Sequence, residues 1–231
     1  LIYGAHTLSS AEGFQQGDPI ASLGFCLVLH PVLVQLLSQF KVRYLDDVSA
    51  GDNWKIVLAD LLLIEKEAAK FGLILNPSKC EITILGENSL HIAAQFKEHF
   101  PKIKIIDIKD AALLGSPLGS RSLVDELKKK HDSLIQMCAV LLQLPSHVAF
   151  FMLKNCFSIP KFMYVLRTAP CFLLNTTEID ETIRSFIETL MNVTINASEW
   201  MQICLPVKSA GFGIQSVAAV ASSAYISSVL S

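Results

Sequence analysis

The stretch KVRYLDDVSAGDN, residues Lys41–Asn53, sets two adjacent carboxylates, Asp46 and Asp47, directly after Tyr44-Leu45. Val42 to Leu45 and Val48 to Ala50 are short β-prone runs, and the two aspartates between them have the spacing of a tight hairpin tip. Aspartate is favoured in turns, which gives the pair one plain explanation. Adjacent carboxylates also repel one another, and a divalent cation held between them relieves the repulsion. Magnesium takes few protein carboxylates and completes its octahedron with water and phosphate oxygens. A hairpin tip that projects two carboxylates is therefore half of a phosphoryl-transfer metal site. In such a site one ion activates the attacking oxygen and the other stabilises the leaving group.

Outward from the hairpin, Gln15-Gln16-Gly17-Asp18-Pro19 reads as a loop, with Pro19 suited to the first turn of a helix that runs to about Gln39. Thr7 to Ser10 followed by Gly13 reads as a short strand and turn. Ile20 to Leu37 contains no Asp, Glu, Lys or Arg, but Gly24, His30-Pro31 and Gln35 interrupt it. The expectation there is a buried helix kinked at its proline rather than a membrane span. Beyond the hairpin, Asp52 and Asn53 are N-cap residue types, Trp54 to Ala69 carries helical periodicity, and Gly72 is placed to end that helix. Leu73 to Leu75 and Ile82 to Leu85 read as strands flanking Asn76-Pro77-Ser78, and β character continues from Lys102 to Leu118. From Ser122 the pattern becomes helical, over roughly 122–143, 146–158 and 178–192, punctuated by Pro145, Pro160 and Pro170, and a last apolar segment near 214–230 is rich in Ala and Ser.

The 231 residues suffice for one large or two small domains, and 52% hydrophobic with 17% charged residues excludes a disordered chain. A formal charge of −2 neither requires nor excludes a nucleic-acid partner, because a local basic face hides in a neutral total. Six scattered cysteines form no Cys-x-x-Cys pair, so neither a zinc site nor a disulfide framework is expected. The opening Leu1-Ile2-Tyr3-Gly4 has no start methionine and no basic n-region, which gives the expectation of a chain beginning inside a longer product.

Several blocks together carry a family resemblance. Tyr44-Leu45-Asp46-Asp47, Gln16-Gly17-Asp18-Pro19 within EGFQQGDPIASLGFCLVLHPVL, Gly72 to Asn76 with Lys79-Cys80-Glu81, and Leu113 to Leu118 stand in a fixed order. In that order the chain resembles the reverse transcriptases of non-LTR retrotransposons, and LKNCFSIPKFMYVLRTAP and LPVKSAGFGIQS look like their thumb region. The resemblance implies an α+β fold: a polymerase palm, an antiparallel sheet with flanking helices, over residues 1–120, then a mostly helical thumb over 121–231. It implies RNA-directed DNA synthesis with magnesium, or manganese in its place, and an RNA template, a DNA primer and deoxynucleoside triphosphates as partners, with no membrane.

By the same resemblance Asp46 and Asp47 are the metal ligands, Asp46 the principal one, and Tyr44 sits beneath the primer terminus. Leu45 faces the sugar of the incoming nucleotide, and Gln16 and Gly17 line the nucleotide pocket. Leu114 and Gly115 belong to the turn that holds the primer end. Lys79 reads either as an acid or electrostatic partner of the leaving pyrophosphate or as a solvated turn lysine. His30 is expected in the core or at its boundary, Lys128-Lys129-Lys130 on a wet helix face, and Phe150-Phe151 and Phe162-Met163-Tyr164 in the core.

Enzymes of this family use a third carboxylate, on a strand several dozen residues before the glutamine loop. Only fifteen residues precede Gln16, and Glu12 is the sole acid among them. The expectation is a partial palm without fingers, inactive as an isolated chain. A degenerate or domesticated remnant that binds nucleic acid or protein is the alternative. A telomerase-like or intron-maturase polymerase would share the palm motifs, but the thumb resemblance points away from it. The sequence sets neither a cytoplasmic nor a nuclear address.

Overall fold

The computed structural model describes residues 17–230, Gly13, and two short strands at 2–3 and 6–7. The chain divides into two compact units, Leu1–Ile106 and Asp107–Ser231.

In the first unit β1 (Ile2–Tyr3) pairs antiparallel with β2 (His6–Thr7). Helix α1 covers Ala21–Leu33, and β3 (Phe40–Tyr44) and β4 (Asp47–Gly51) form an antiparallel hairpin. Helix α2 (Trp54–Ala69) follows, then β5 (Glu81–Thr83), α3 (Ser89–His99) and β6 (Lys104–Ile106). β5 and β6 are parallel, with α3 as the crossover that a parallel pair requires. Leu58, Ile92, Phe96, Phe100 and Ile103 form one core cluster under α2 and α3. Leu29, Leu33 and Leu36 form a second, against which Val48 of the hairpin packs.

The sequence reading needs correction at four places in this unit. Helix α1 ends at Leu33, not near Gln39, and the Gln35 side chain donates to the Pro31 carbonyl at 2.7 Å just past its end. It is no buried helix either, since only Leu29, Val32 and Leu33 are buried on it and His30 is exposed. Leu73 to Leu75 is not a strand. The Leu73 amide bonds back to Ala68 and closes α2, leaving Ile74 92% exposed. Helix α3 lies where the sequence pattern registered no element.

In the second unit β7 (Ala112–Leu113) and β8 (Ser116–Pro117) make a short hairpin. Six helices follow: α4 (Ser120–Leu141), α5 (Ser146–Met152), α6 (Ile159–Thr168), α7 (Thr177–Met191), α8 (Ala197–Cys204) and α9 (Val217–Val229). A π turn at Leu153–Phe157 joins α5 to α6. Pro160 explains it, since proline lacks an N–H and its ring crowds the carbonyl four residues earlier. Leu134, Leu153, Phe162, Val165, Leu166, Ile183 and Val217 lie fully buried at the centre of this bundle. Of the aromatic residues expected there, Phe151 and Tyr164 are instead exposed.

The division falls earlier than the 120/121 boundary read from the sequence, because residues 107–119 are tied to α4. The amides of Leu118 and Gly119 and the Ser122 hydroxyl all donate to the Ala111 carbonyl. At Gly119 a Cβ would stand 2.1 Å from the Lys109 carbonyl oxygen, so only glycine fits that crossing.

Mixed α and β structure is observed. The described strands form four separate two-stranded ladders, one of them parallel, rather than one antiparallel sheet. No helix among the described residues is long and apolar enough to cross a membrane.

Candidate metal-binding hairpin

The β3–β4 register pairs Tyr44 with Asp47, Arg43 with Val48 and Val42 with Ser49. The two loop residues are therefore Leu45 and Asp46, one position earlier than the Asp46-Asp47 tip expected from the sequence. The core fixes this choice. Val48 packs against Leu29, Leu33 and Leu36, and a one-residue slip would turn it to the other face of the hairpin. The shift makes the two carboxylates unlike: Asp46 stands in the turn, and Asp47 stands on the strand, on the same face as Tyr44.

Leu45 adopts φ 53°, in the left-handed region. A two-residue hairpin loop demands positive φ at one or both central residues, and glycine or asparagine usually supplies it. Leucine there carries a strain of about 1–2 kcal/mol. The β7–β8 turn repeats this choice, with Leu114 at φ 50° followed by Gly115 at φ 77°. Both turns that the family resemblance selects thus hold a leucine where the backbone favours glycine or asparagine.

The hairpin is anchored at its base and along one face. At the base, the Asp52 carboxylate accepts the Gln39 amide at 2.8 Å, bridging the two strand ends. Asp60 of α2 accepts the Leu37 and Ser38 amides at 2.8 and 2.9 Å and the Ser38 hydroxyl at 2.6 Å. Burial by itself would raise the pKa of Asp60. The Ser38 hydroxyl, the two amides and the nearby Lys41 charge outweigh it and hold the carboxyl below its ordinary value. Along the face, Arg43 donates to the Leu33 carbonyl, and Lys41 donates to the Leu36 carbonyl at 2.6 Å.

The opposite face is open. Tyr44 is 60% exposed, and Leu45, Asp46 and Asp47 are exposed beside it. The described residues offer the Asp46 and Asp47 side chains no hydrogen bond or ion pair, whereas Asp52 and Asp60 are fully engaged with backbone amides. Among the described residues no group of three or more His, Cys, Asp or Glu side chains is placed to hold a metal ion. A pair of carboxylates nonetheless fits the protein's share of a magnesium site, whose remaining positions belong to water and phosphate.

The other residues named from the sequence are dispersed. Gly17, at φ 93°, is exposed in the loop before α1, where the Asp18 carboxylate accepts the Ile20 amide at 2.8 Å. Gln16 and Glu12 lie outside the described residues. Lys79 is exposed in the turn before β5, its amide bonded to the Asn76 carbonyl, and no ion pair among the described residues joins it to either aspartate. Leu114 and Gly115 belong to the second unit, where Tyr164 of α6 donates its phenolic hydrogen bond to the Leu114 carbonyl at 2.7 Å. Arg43, Lys41 and Asp60 escaped the sequence reading, which places Tyr164 in the core rather than at this turn. For Lys41 and Arg43 a signal exists: residues two apart on a strand share a face, which is the one opposite Tyr44.

Comparison with protein-family models, with curated proteins and with solved structures gives no match.

Proposed function

We propose that the chain is a portion of a reverse transcriptase of the non-LTR retrotransposon type, its palm element built around the β3–β4 hairpin and its thumb around the helical unit. One observation carries the reading. Asp46 and Asp47 stand exposed at a strained, base-anchored hairpin tip, and the described residues give them no partner. The order of the motifs around them supports the polymerase assignment over other divalent-cation sites.

The reaction joins the 3′-oxygen of a DNA primer to the α-phosphorus of a deoxynucleoside triphosphate. A P–O bond forms, the α–β phosphoanhydride bond breaks, and pyrophosphate leaves as the hydroxyl loses its proton. Magnesium, when bound, supplies Lewis-acid activation of the oxygens that enter and leave. Asp46 and Asp47 would hold the cation, Asp46 from the turn and Asp47 from the strand. Tyr44, on the face shared with Asp47, offers a ring for the primer terminus to rest on. Leu45, fixed between them, packs against the nucleotide sugar. Lys79, exposed in the turn before β5, would serve as counter-charge or proton donor for the pyrophosphate if the family role holds, and otherwise stays a solvated turn lysine.

Manganese titration of the purified chain tests this reading, by the paramagnetic broadening of backbone amide resonances. Broadening is expected to centre on residues 44–48 at millimolar manganese and to disappear in Asp46→Asn. Manganese that leaves those resonances sharp overturns the reading. RNA-templated primer extension by the isolated chain is expected to match the Asp46→Asn control, since no third acid joins the pair among the described residues. Extension lost in Asp46→Asn would show a complete site and overturn that part.

A further inference from the structure

The basic residues of the hairpin are placed unlike its acidic ones. Lys41 and Arg43 alternate with Val42 and Tyr44 along β3, so their side chains leave the sheet on the face opposite Tyr44 and Asp47. There both cations end on carbonyl oxygens, Arg43 on Leu33 and Lys41 on Leu36, at and just beyond the C-terminus of α1. A helix C-terminus carries unpaired carbonyls and partial negative charge, and it favours cations. Neither residue forms an ion pair with a carboxylate among the described residues.

The hairpin needs such an anchor. β3 and β4 pair only with each other among the described strands, and a lone two-stranded hairpin is marginal in water. Val48 supplies the apolar contact on the same face, while Asp52 and Asp60 hold the base. Between base and tip, Arg43 ties β3 to the last residue of α1 and Lys41 ties it to Leu36 just beyond.

We propose that Arg43 and Lys41 are positioning residues for the carboxylate pair. Fastened to the helix end, they set the angle of the tip. Turned from the open face, they leave Asp46 and Asp47 free to meet a divalent cation instead of an internal ion pair. The inference rests on the tip binding a cation, as in the function proposed above.

The sign of one substitution separates positioning from electrostatics. Arg43→Gln removes a positive charge near two carboxylates, so Coulomb attraction alone would tighten manganese binding. Loss of a positioning residue weakens it, by about tenfold if the cost resembles that of removing an outer support in other metal sites. The experiment is the same manganese titration on the full chain, with circular dichroism melts to confirm the fold. Arg43→Gln is expected to weaken binding about tenfold. Arg43→Lys, which keeps a donor for the Leu33 carbonyl, is expected to recover part of the loss. Wild-type or tighter binding in Arg43→Gln overturns the inference. Should Arg43→Gln fail to fold, Lys41→Met carries the same expectation at a smaller loss, and unchanged affinity there overturns it. Manganese binding that survives Asp46→Asn fails the reading of the tip instead, and so distinguishes the two.

Discussion

The carboxylate of Asp60, on α2, takes both the amide and the hydroxyl of Ser38, at 2.9 and 2.6 Å, and fixes the chain where it leaves α1 to enter the hairpin. Asp60 is 2% exposed and Ser38 is fully buried, so each depends on the other for its hydrogen bonds. The tip that carries Asp46 and Asp47 is built on that junction.

Replacing Asp60 by alanine strands the buried Ser38 amide and hydroxyl and leaves the part-buried Leu37 amide without its acceptor, with an expected loss of about 2–4 kcal/mol in the first unit. Acid should act in the same way. The folded carboxyl titrates below its unfolded value, so its contribution is fully present above the unfolded pKa of about 3.9. That contribution falls away as the pH drops through the lower folded value. Urea unfolding of the wild type and Asp60→Asn between neutral and acid pH checks this, the variant losing that part of the pH dependence.

The left-handed leucines make a prediction of opposite sign. Leu114→Asn matches the Asn-Gly pair that a turn with two positive φ angles prefers, and should stabilise the second unit by about 0.5–1 kcal/mol. The Tyr164 bond survives, since it is made to the Leu114 backbone carbonyl. Leu45→Val places a β-branched residue at φ 53° and should destabilise the first unit by about 1 kcal/mol or more. Denaturant midpoints for the two variants give both signs.

In the helical unit Asp180 of α7 accepts the Val217 amide at 2.7 Å and the Ser216 hydroxyl, and so caps α9 from a neighbouring helix. Asp180→Ala should cost about 2–3 kcal/mol. Hydrogen exchange should speed up first at the amides of Val217 and Ala218, which lose their acceptor, and then along α9. Uniform acceleration across the unit would mean that the cap supports the whole bundle equally.

The sequence by itself determined the existence of the hairpin, the limits of α2 and the helical patterns that became α4, α5 and α7, while α6 and α8 registered as no element of their own. Those follow from local rules: Asn53 accepts the Lys55 amide as an N-cap, Gly72 permits the exit from α2, and prolines punctuate the bundle. It also singled out Asp46 and Asp47, because two adjacent like charges in a turn are conspicuous in one dimension. Only the tertiary structure decided which of them stands in the loop, since that register depends on Val48 meeting Leu29, Leu33 and Leu36 from another element. Tertiary structure also separated aspartates that look alike in the sequence. Asp52 and Asp60 are engaged by backbone amides, while Asp46 and Asp47 remain open. That distinction lies in partners from other elements, Ser38, 22 residues from Asp60, and the carbonyls of Leu33 and Leu36 for Arg43 and Lys41, and periodicity along a chain carries no information about such pairings.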